Sequence, residues 1–581
     1  MVVDILFAIS QAIDYKKGMP ALKKILFSAC CLLLTAYLFL LSCQIDKSSD
    51  KKFYGDTIIK GGYSKFSIIN PILSVSSESS DIETAIFDGL IKIDDRGEVQ
   101  PNLTSSWKAA EDNLRWTFYL KKGVRFHDGK ELIAEDVVFT YEAIKKPENK
   151  GRYYSSFEFV ENIRGIDRYT IEIILKKPYV SFLYGLEVGI LPKHILQGKD
   201  LHNTEFNEHP IGTGPYKLQK WSENEIVLKA NKDYFNGRPY LNKIVIKNFP
   251  NQKVMWARLM RGEIDFAPAI TPSDYEIIKS IPSFKTYSVL KPYYYMIAFN
   301  LMPNTRFFGL RPQNDNMDGG HSERSEESNL KDNIFKDKRV RQSLNYAIDK
   351  EKIIHNVLEG MGKVSAGTIY PLSWAYEQAL KPYPYNPQKA LMLLKEAGWE
   401  DRDSNHILDK DGKELRFTIL LNKGDNIKEK TIRLIQEQLL DIGVKLDIEL
   451  IDLAILTKML LQKDFESAFI EFASINDPDI NYQLWHSSQI TEGFNMFSYK
   501  NQEVDELLDK GRTTFDREKR REYYKDFQKE MLDDPPGIFL FWTEYLVGIH
   551  ERFKGVKVDW RGTFANITEW YVPEGKQRYK Q

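Results

Sequence analysis

The residues best suited to chemistry lie late in the chain, where Glu471 precedes Asp477-Pro478-Asp479. A carboxylate pair such as Asp477 and Asp479 could supply the acid and base of a hydrolase. Pairs of this kind are easy to find among 82 acidic residues, and no nucleophile–base pattern accompanies this one. A turn is the plainer reading. The nine histidines are scattered, with no HxH and no HExxH spacing, so no metal site and no cofactor is expected. His127, His486 and His550 read as ordinary surface or core residues. Gly212-Thr213-Gly214 lacks the Lys-Ser/Thr of a phosphate loop and runs into Pro215, which makes it a tight turn entering a strand. Phe126-His127-Asp128-Gly129 reads as a hairpin turn rather than a catalytic His/Asp pair. The chemistry-bearing residues therefore favour capture of a ligand over its transformation.

Composition points the same way. A chain of 581 residues exceeds one hydrophobic core, so two or three domains are expected. Lys+Arg of 81 against Asp+Glu of 82 leaves no basic surplus for nucleic acid. Aromatic residues make up 13%, enough to pack cores and still line a cleft with rigid amphipathic surface. Cys30, Cys31 and Cys43 are the only cysteines, so the chain beyond residue 43 can hold neither a disulfide nor a cysteine zinc site.

Those cysteines sit in an address. MPALKK at 19–24 is a basic start, an apolar run spans 25–41, and Leu40-Leu41-Ser42-Cys43 closes it. The last four residues resemble the bacterial lipobox, in which the cysteine is lipidated and becomes the mature N-terminus. The competing reading is a plain membrane anchor, since the run is near spanning length. Each buried lipid methylene contributes about 0.8 kcal/mol, so two or three chains on Cys43 would tether the protein firmly. Asp4 and Asp14 suit no signal, which makes Met19 the expected start. Residues 44–52 are polar and read as a tether, and Gln44 is not the aspartate that signals inner-membrane retention.

Further along, strand-like runs alternate with amphipathic helices without a fixed period, an α/β pattern. Strands are expected at 58–59, 116–120, 171–175, 244–246, 294–299 and 417–421. Helices are expected over 134–144, 338–360, 387–398, 427–442 and 517–532, with Gly398 and Gly443 as stops. Arg339 and Arg341 read as one solvated helix edge, or a surface for docking a permease. Residues 311–333 contain almost nothing apolar and are expected to be an inert disordered surface insert.

Several stretches, taken in order, resemble the family 5 extracellular solute-binding proteins that serve peptide and nickel ABC importers. WTFYLKKGVRFHDGK at 116–130 and AEDVVFTY at 134–141 are similar to that family's signature region. IGTGPY at 211–216, NKDYFNG at 231–237, RGEID at 261–265, RVRQSLNYAID at 339–349 and YNPQKA at 385–390 follow in the family's order, covering about 53 to 570. The resemblance implies an α/β, two-lobed periplasmic-binding-protein fold of type II-like form, joined by a hinge. Lobe I would comprise 53–292 plus 545–581, with an extra subdomain at 91–210, and lobe II would span 293–544. The chain would cross between lobes near 293–300 and 541–547.

It also implies a function: a monomeric, lipid-anchored receptor in the cell envelope, with its mature domain periplasmic or otherwise extracytoplasmic. It would capture peptides between its lobes and hand them to a membrane permease, with a separate ATPase as further partner. In peptide binders of the family, an aspartate shortly before an Asp-Pro or Glu-Pro pair holds the ligand's α-amino group. Here that position is Ser474, so either Glu471 or Asp477 substitutes or the ligand lacks a free amino terminus. The remaining ligand-contact candidates are positional: Ser76, Ser77, Glu78, Asn300, Trp374, Trp485 and Asn495. A nickel chelate, sugar or opine in the same fold is the alternative ligand. An envelope chaperone or adhesin, and an enzyme, are more distant readings.

Overall fold

The computed structural model describes residues 52–63, 68–74, 77–149, 151–302, 304–305, 331–474 and 477–579. The signal region, Cys43, most of the tether and all but the end of the 311–333 insert lie outside them. No helix among the described residues is long and apolar enough to cross a membrane.

One eleven-stranded sheet runs through the molecule. Its strands are β1 (Thr57–Gly62), β2 (Tyr216–Ser222), β3 (Glu225–Ala230), β4 (Lys243–Asn248), β5 (Phe266–Ala267) and β6 (Phe284–Phe299). They continue with β7 (Gly362–Val364), β8 (Arg416–Asn422), β9 (Lys445–Ile451), β10 (Ser467–Ala473) and β11 (Gly537–His550). The order is β9-β8-β10-β6-β11-β5-β1-β4-β3-β2, with β7 added beside β11. β1 pairs in parallel with β4, and β8 in parallel with β9 and β10, as an α/β alternation produces. A separate four-stranded antiparallel sheet holds Thr104–Ala109, Arg115–Leu120, Thr170–Leu175 and Val160–Asp167 in that order. Along Arg115–Leu120 burial alternates, Trp116, Phe118 and Leu120 facing inward, as a half-covered strand requires.

β6 and β11 are the long members and pair antiparallel with each other. Residues 284–290 of β6 lie against 550–544 of β11, and 294–298 against 542–537, with the register broken between Leu290 and Tyr294. Pro292 sits in that break, where a residue lacking an N–H costs the ladder no hydrogen bond. The hydrophobic cores divide at the same place. Beyond the break, Tyr295, Ile297 and Phe299 face one cluster and Tyr294, Met296 and Ala298 face another, the period of two expected of a strand buried on both faces. The largest core collects residues between Ile58 and Ile246 together with Val547 to Val572, so the chain's tail returns to pack with its beginning.

The expected strands are all present, and 294–299 is the end of a 16-residue one. The helix expected over 338–360 is two, Lys338–Tyr346 and Lys350–Val357, because the Asp349 side chain accepts from the Lys352 N–H and starts a new helix. Gly398 and Gly443 end their helices at φ of 91° and 75°. The shared Arg339/Arg341 edge does not exist. Arg339 is exposed beside Asp337, whereas Arg341 is buried and ion-paired to Asp534 at 2.8 Å. Two positions along a helix differ by about 200°, so these residues cannot share a face.

Phe126 to Gly129 is a hairpin turn, with Gly129 at φ 90° and its N–H donating to the Phe126 carbonyl at 2.8 Å. Gly212 and Gly214 are required by proximity instead: a Cβ on Gly212 would lie 2.0 Å from the Ile86 carbonyl oxygen, and on Gly214 2.6 Å from it. His127 ties the two turns together, Nε2 donating to the Gly214 carbonyl at 3.0 Å and Nδ1 accepting the Gly212 N–H at 3.3 Å. Only the neutral ring can do both. Burial, against the favourable Gly214 contact, pushes the His127 pKa down to about 4 from the usual 6.5. The unfolded chain therefore binds this proton more readily than the folded one. Stability owed to neutral His127 is complete above pH 6.5 and lost as pH falls towards 4. NMR titration of the His127 ring should give a midpoint near 4; a midpoint near 6.5 would contradict this geometry.

Candidate functional site

The end of β10 leads to the residues with most chemical potential. Ser474 follows the strand, and its N–H donates to the Pro292 carbonyl at 2.8 Å, inside the break of β6. Its hydroxyl oxygen accepts the Tyr370 N–H at 3.1 Å. The Tyr370 hydroxyl in turn donates to the Leu290 carbonyl. Carbonyls freed by the irregular register are thus taken up by the loop around 365–376 and by the residue after β10, as buried backbone acceptors must be.

A cavity of about 380 Å³, counting space open to solvent, lies beside Ser474. It is lined from one side by Ile369, Tyr370, Leu372, Ser373, Trp374, Ser474, Asp477 and Pro478, and from the other by Arg96, Gly97 and Trp560. The second set belongs to the half containing the chain's beginning and tail. Its hairpin, Ile91–Ile93 with Val99–Pro101, turns on Asp94, whose Oδ1 accepts the N–H groups of Arg96 and Glu98 at 2.9 Å. Gly97, at φ 73°, closes that turn. The hairpin tip is held by Arg517, which pairs with Glu98 at 2.8 Å, and by the Trp560 N–H, which donates to the Asp95 carbonyl at 3.1 Å.

Below the cavity the two halves meet through buried carboxylates. Asp477 is held by both terminal nitrogens of Arg520, by the Ser181 hydroxyl at 2.9 Å and by the Asp479 N–H at 3.0 Å. Asp479 takes Arg512 through two bonds of 3.2 Å and the Tyr179 hydroxyl at 3.0 Å. Helices Gln502–Thr513 and Arg517–Asp533 supply the arginines, while Tyr179 and Ser181 come from the 91–210 segment. Arg512 also lies 3.5 Å from the Tyr482 ring centre. Burial works against the charge of each arginine, but Asp477 and Asp479 outweigh it and hold both arginine pKa values above normal. Neither aspartate is free for catalysis or for an ammonium group, because each already faces a guanidinium.

Of the residues expected to contact ligand, Trp374, Ser474 and Asp477 line this one cavity. Asn300 does not. It is buried, donates to the Lys463 and Phe465 carbonyls at 2.9 Å each, and accepts the Met302 N–H at 3.0 Å. Trp485 is wholly enclosed, its ring 5.4 Å from that of Phe497. Asn495 braces the loop after Trp485 through the His486 and Tyr499 carbonyls. These three read as structural because each is enclosed by, or bonded to, its own chain. Ser76 lies outside the described residues, and Ser77 and Glu78 open the helix Ser77–Ile86. Sequence reasoning missed Arg96, Tyr370 and Trp560; only the Asp94-x-x-Gly97 turn signal marked one of them. No group of three His, Cys, Asp or Glu among the described residues is arranged to hold a metal.

Removing one partner of a buried ion pair strands the other charge. Asp477→Ala should therefore lower stability by about 3–5 kcal/mol, and Ser181→Ala by about 1 kcal/mol. Urea unfolding followed by tryptophan fluorescence should show the larger drop in midpoint for Asp477→Ala; equal drops would mean that Arg520 is not left unpaired.

The family model described as "Bacterial extracellular solute-binding proteins, family 5 Middle" matches residues 98–493. The oligopeptide-binding protein AppA of Bacillus subtilis (strain 168) is 32% identical over 559 residues, covering 93% of this chain and 97% of that protein. Its structure in complex with a nonapeptide superposes with a TM-score of 0.72 over 90% of this chain and 100% of that one. NikZ from Campylobacter jejuni, in complex with Ni(L-His), is 31% identical with a TM-score of 0.71, covering 89% and 99%. The fold is thus the two-lobed α/β fold of periplasmic binding proteins, and known members are binding proteins rather than enzymes. Motifs, sheet topology and these likenesses agree: the chain belongs to family 5 of the bacterial extracellular solute-binding proteins.

Proposed function

We propose that this protein is the substrate-binding subunit of an ABC importer, capturing peptides between its lobes and delivering them to a membrane permease. The observation that carries the reading is a cavity walled by both halves of a chain 32% identical to an oligopeptide-binding protein. The lobes are taken as 53–292 with 545–581, and 293–544, so that β6 and β11 form the hinge. Cys43 would carry the lipid, with the mature domain outside the cytoplasmic membrane and working as a monomer. No bond is made or broken: ligand enters between open lobes and closure completes its contacts. A ligand favours the closed state only by contacts that exist there and not in the open one. The bonds of Tyr179 and Ser181 to Asp479 and Asp477 join the same two halves and would form on closing. Extended peptides bound largely through main-chain hydrogen bonds suit a receptor that tolerates varied side chains.

The likeness to NikZ with Ni(L-His), together with Ser474 in place of a carboxylate, supports a second reading in which the solute is a small non-peptide. Native mass spectrometry of the chain from residue 44, purified from its own host, separates the two. A ladder of peptide masses is expected; one non-peptide mass would transfer the function to the second reading. Hydrolysis products accumulating on incubation would overturn capture without chemistry. Cys43→Ala should move the protein from the membrane fraction to the soluble one, and retention in membranes would contradict the lipid anchor.

A further inference from the structure

The cavity beside Ser474 offers donors and almost no free acceptor. Asp477 is its one lining carboxylate. Oδ1 of Asp477 accepts from Ser181, Asp479 and Arg520, and Oδ2 accepts from Arg520. The neighbouring acids are also neutralised, Glu98 by Arg517 and Asp559 by Arg561. Glu471 does not line the cavity and faces Lys291 and Tyr295.

The donors are not matched in this way. Arg96 is exposed on the hairpin tip, lines the cavity, and has no carboxylate within ion-pair distance among the described residues. The Ser474 oxygen already accepts the Tyr370 N–H, so its own O–H is left to donate. The indole N–H of Trp374 is sealed from solvent with no acceptor among the described residues. That N–H is enclosed by protein and presents no surface to the cavity, so it is not one of the donors a ligand meets. Three acid–arginine pairs cancel beside the cavity, and Arg96, its lining cation, faces Asp94 only beyond ion-pair distance. An ammonium group lodged here would meet the Arg96 guanidinium and no free lining carboxylate; a carboxylate would meet that cation and the Ser474 hydroxyl.

We propose that this cavity takes an anionic ligand group, a carboxylate, with Arg96 and Ser474 setting that preference. The inference rests on the reading of the chain as a peptide receptor and specifies which group of the ligand enters this pocket. A peptide's terminal or side-chain carboxylate supplies it, and the ligand's amino terminus is not required there.

Isothermal titration of the chain from residue 44 tests this with two nonapeptides of one uncharged sequence. One is N-acetylated with a free carboxyl terminus; the other has a free amine and an amidated terminus. Benzoate serves as a non-peptide carboxylate. The acetylated peptide should bind at least about tenfold tighter than the amidated one. Arg96→Gln should remove most of that advantage and Arg96→Lys, which keeps the charge, should retain most of it, which a merely structural role for Arg96 would not do. Ser474→Asp should reverse the preference. Tighter binding of the amidated peptide, or indifference of the acetylated peptide to Arg96→Gln, overturns the proposal. If neither peptide binds but benzoate does, with loss on Arg96→Gln, the peptide reading fails and the carboxylate pocket stands. Binding of none of the three overturns both.

Discussion

Two long strands pair along much of their length, and their register shifts at two places, the wider of them around Pro292. β6 and β11 pair from Phe284 to Leu290 and, past a gap holding Pro292, from Tyr294 to Ala298 with a further shift between Tyr295 and Met296. A buried backbone tolerates such a gap only if its orphaned carbonyls find donors. The Tyr370 hydroxyl takes the Leu290 carbonyl and the Ser474 N–H takes that of Pro292. Those two residues are also walls of the cavity. The wider irregularity thereby positions Tyr370 and Ser474, and a regular ladder would have no carbonyls to offer them.

Charge compensation sets the pocket's character. Asp477 and Asp479 are buried beside Arg520 and Arg512, and each pair carries an extra hydroxyl from the other half, Ser181 or Tyr179. Ion pairs removed from water are weak contributors to stability but strict about geometry, since an unmet charge there is expensive. The two hydroxyls thus make an interface specific to one arrangement of the halves. Because the acids are satisfied from below, the cavity above them is left with donors.

Much of the fold was legible from local pattern. Apolar alternation marked the strands at 115–120 and 170–175, and glycine stops marked the ends of helices at 398 and 443. The 134–144 helix follows directly from its spacing of Val137, Tyr141 and Ile144. The helix expected over 338–360 failed for a local reason. Periodicity continued through Asp349 because an N-cap inside an amphipathic run does not change the run's hydrophobic face. Asn300, Trp485 and Asn495 have the right chemistry for ligand contact, but their partners are backbone carbonyls or rings of distant segments, invisible to local pattern.

The sequence by itself determined the family through ordered motifs, the α/β alternation, and the loss of a carboxylate at Ser474. Residue types and spacings are local quantities, and those features are local. Only the tertiary structure decided that Arg96 and Trp560 face Trp374 and Ser474 across one cavity, and that Asp477 is neutralised rather than reactive. Those outcomes depend on which of many possible partners comes within about 3 Å, and the fold alone brings together residues hundreds of positions apart.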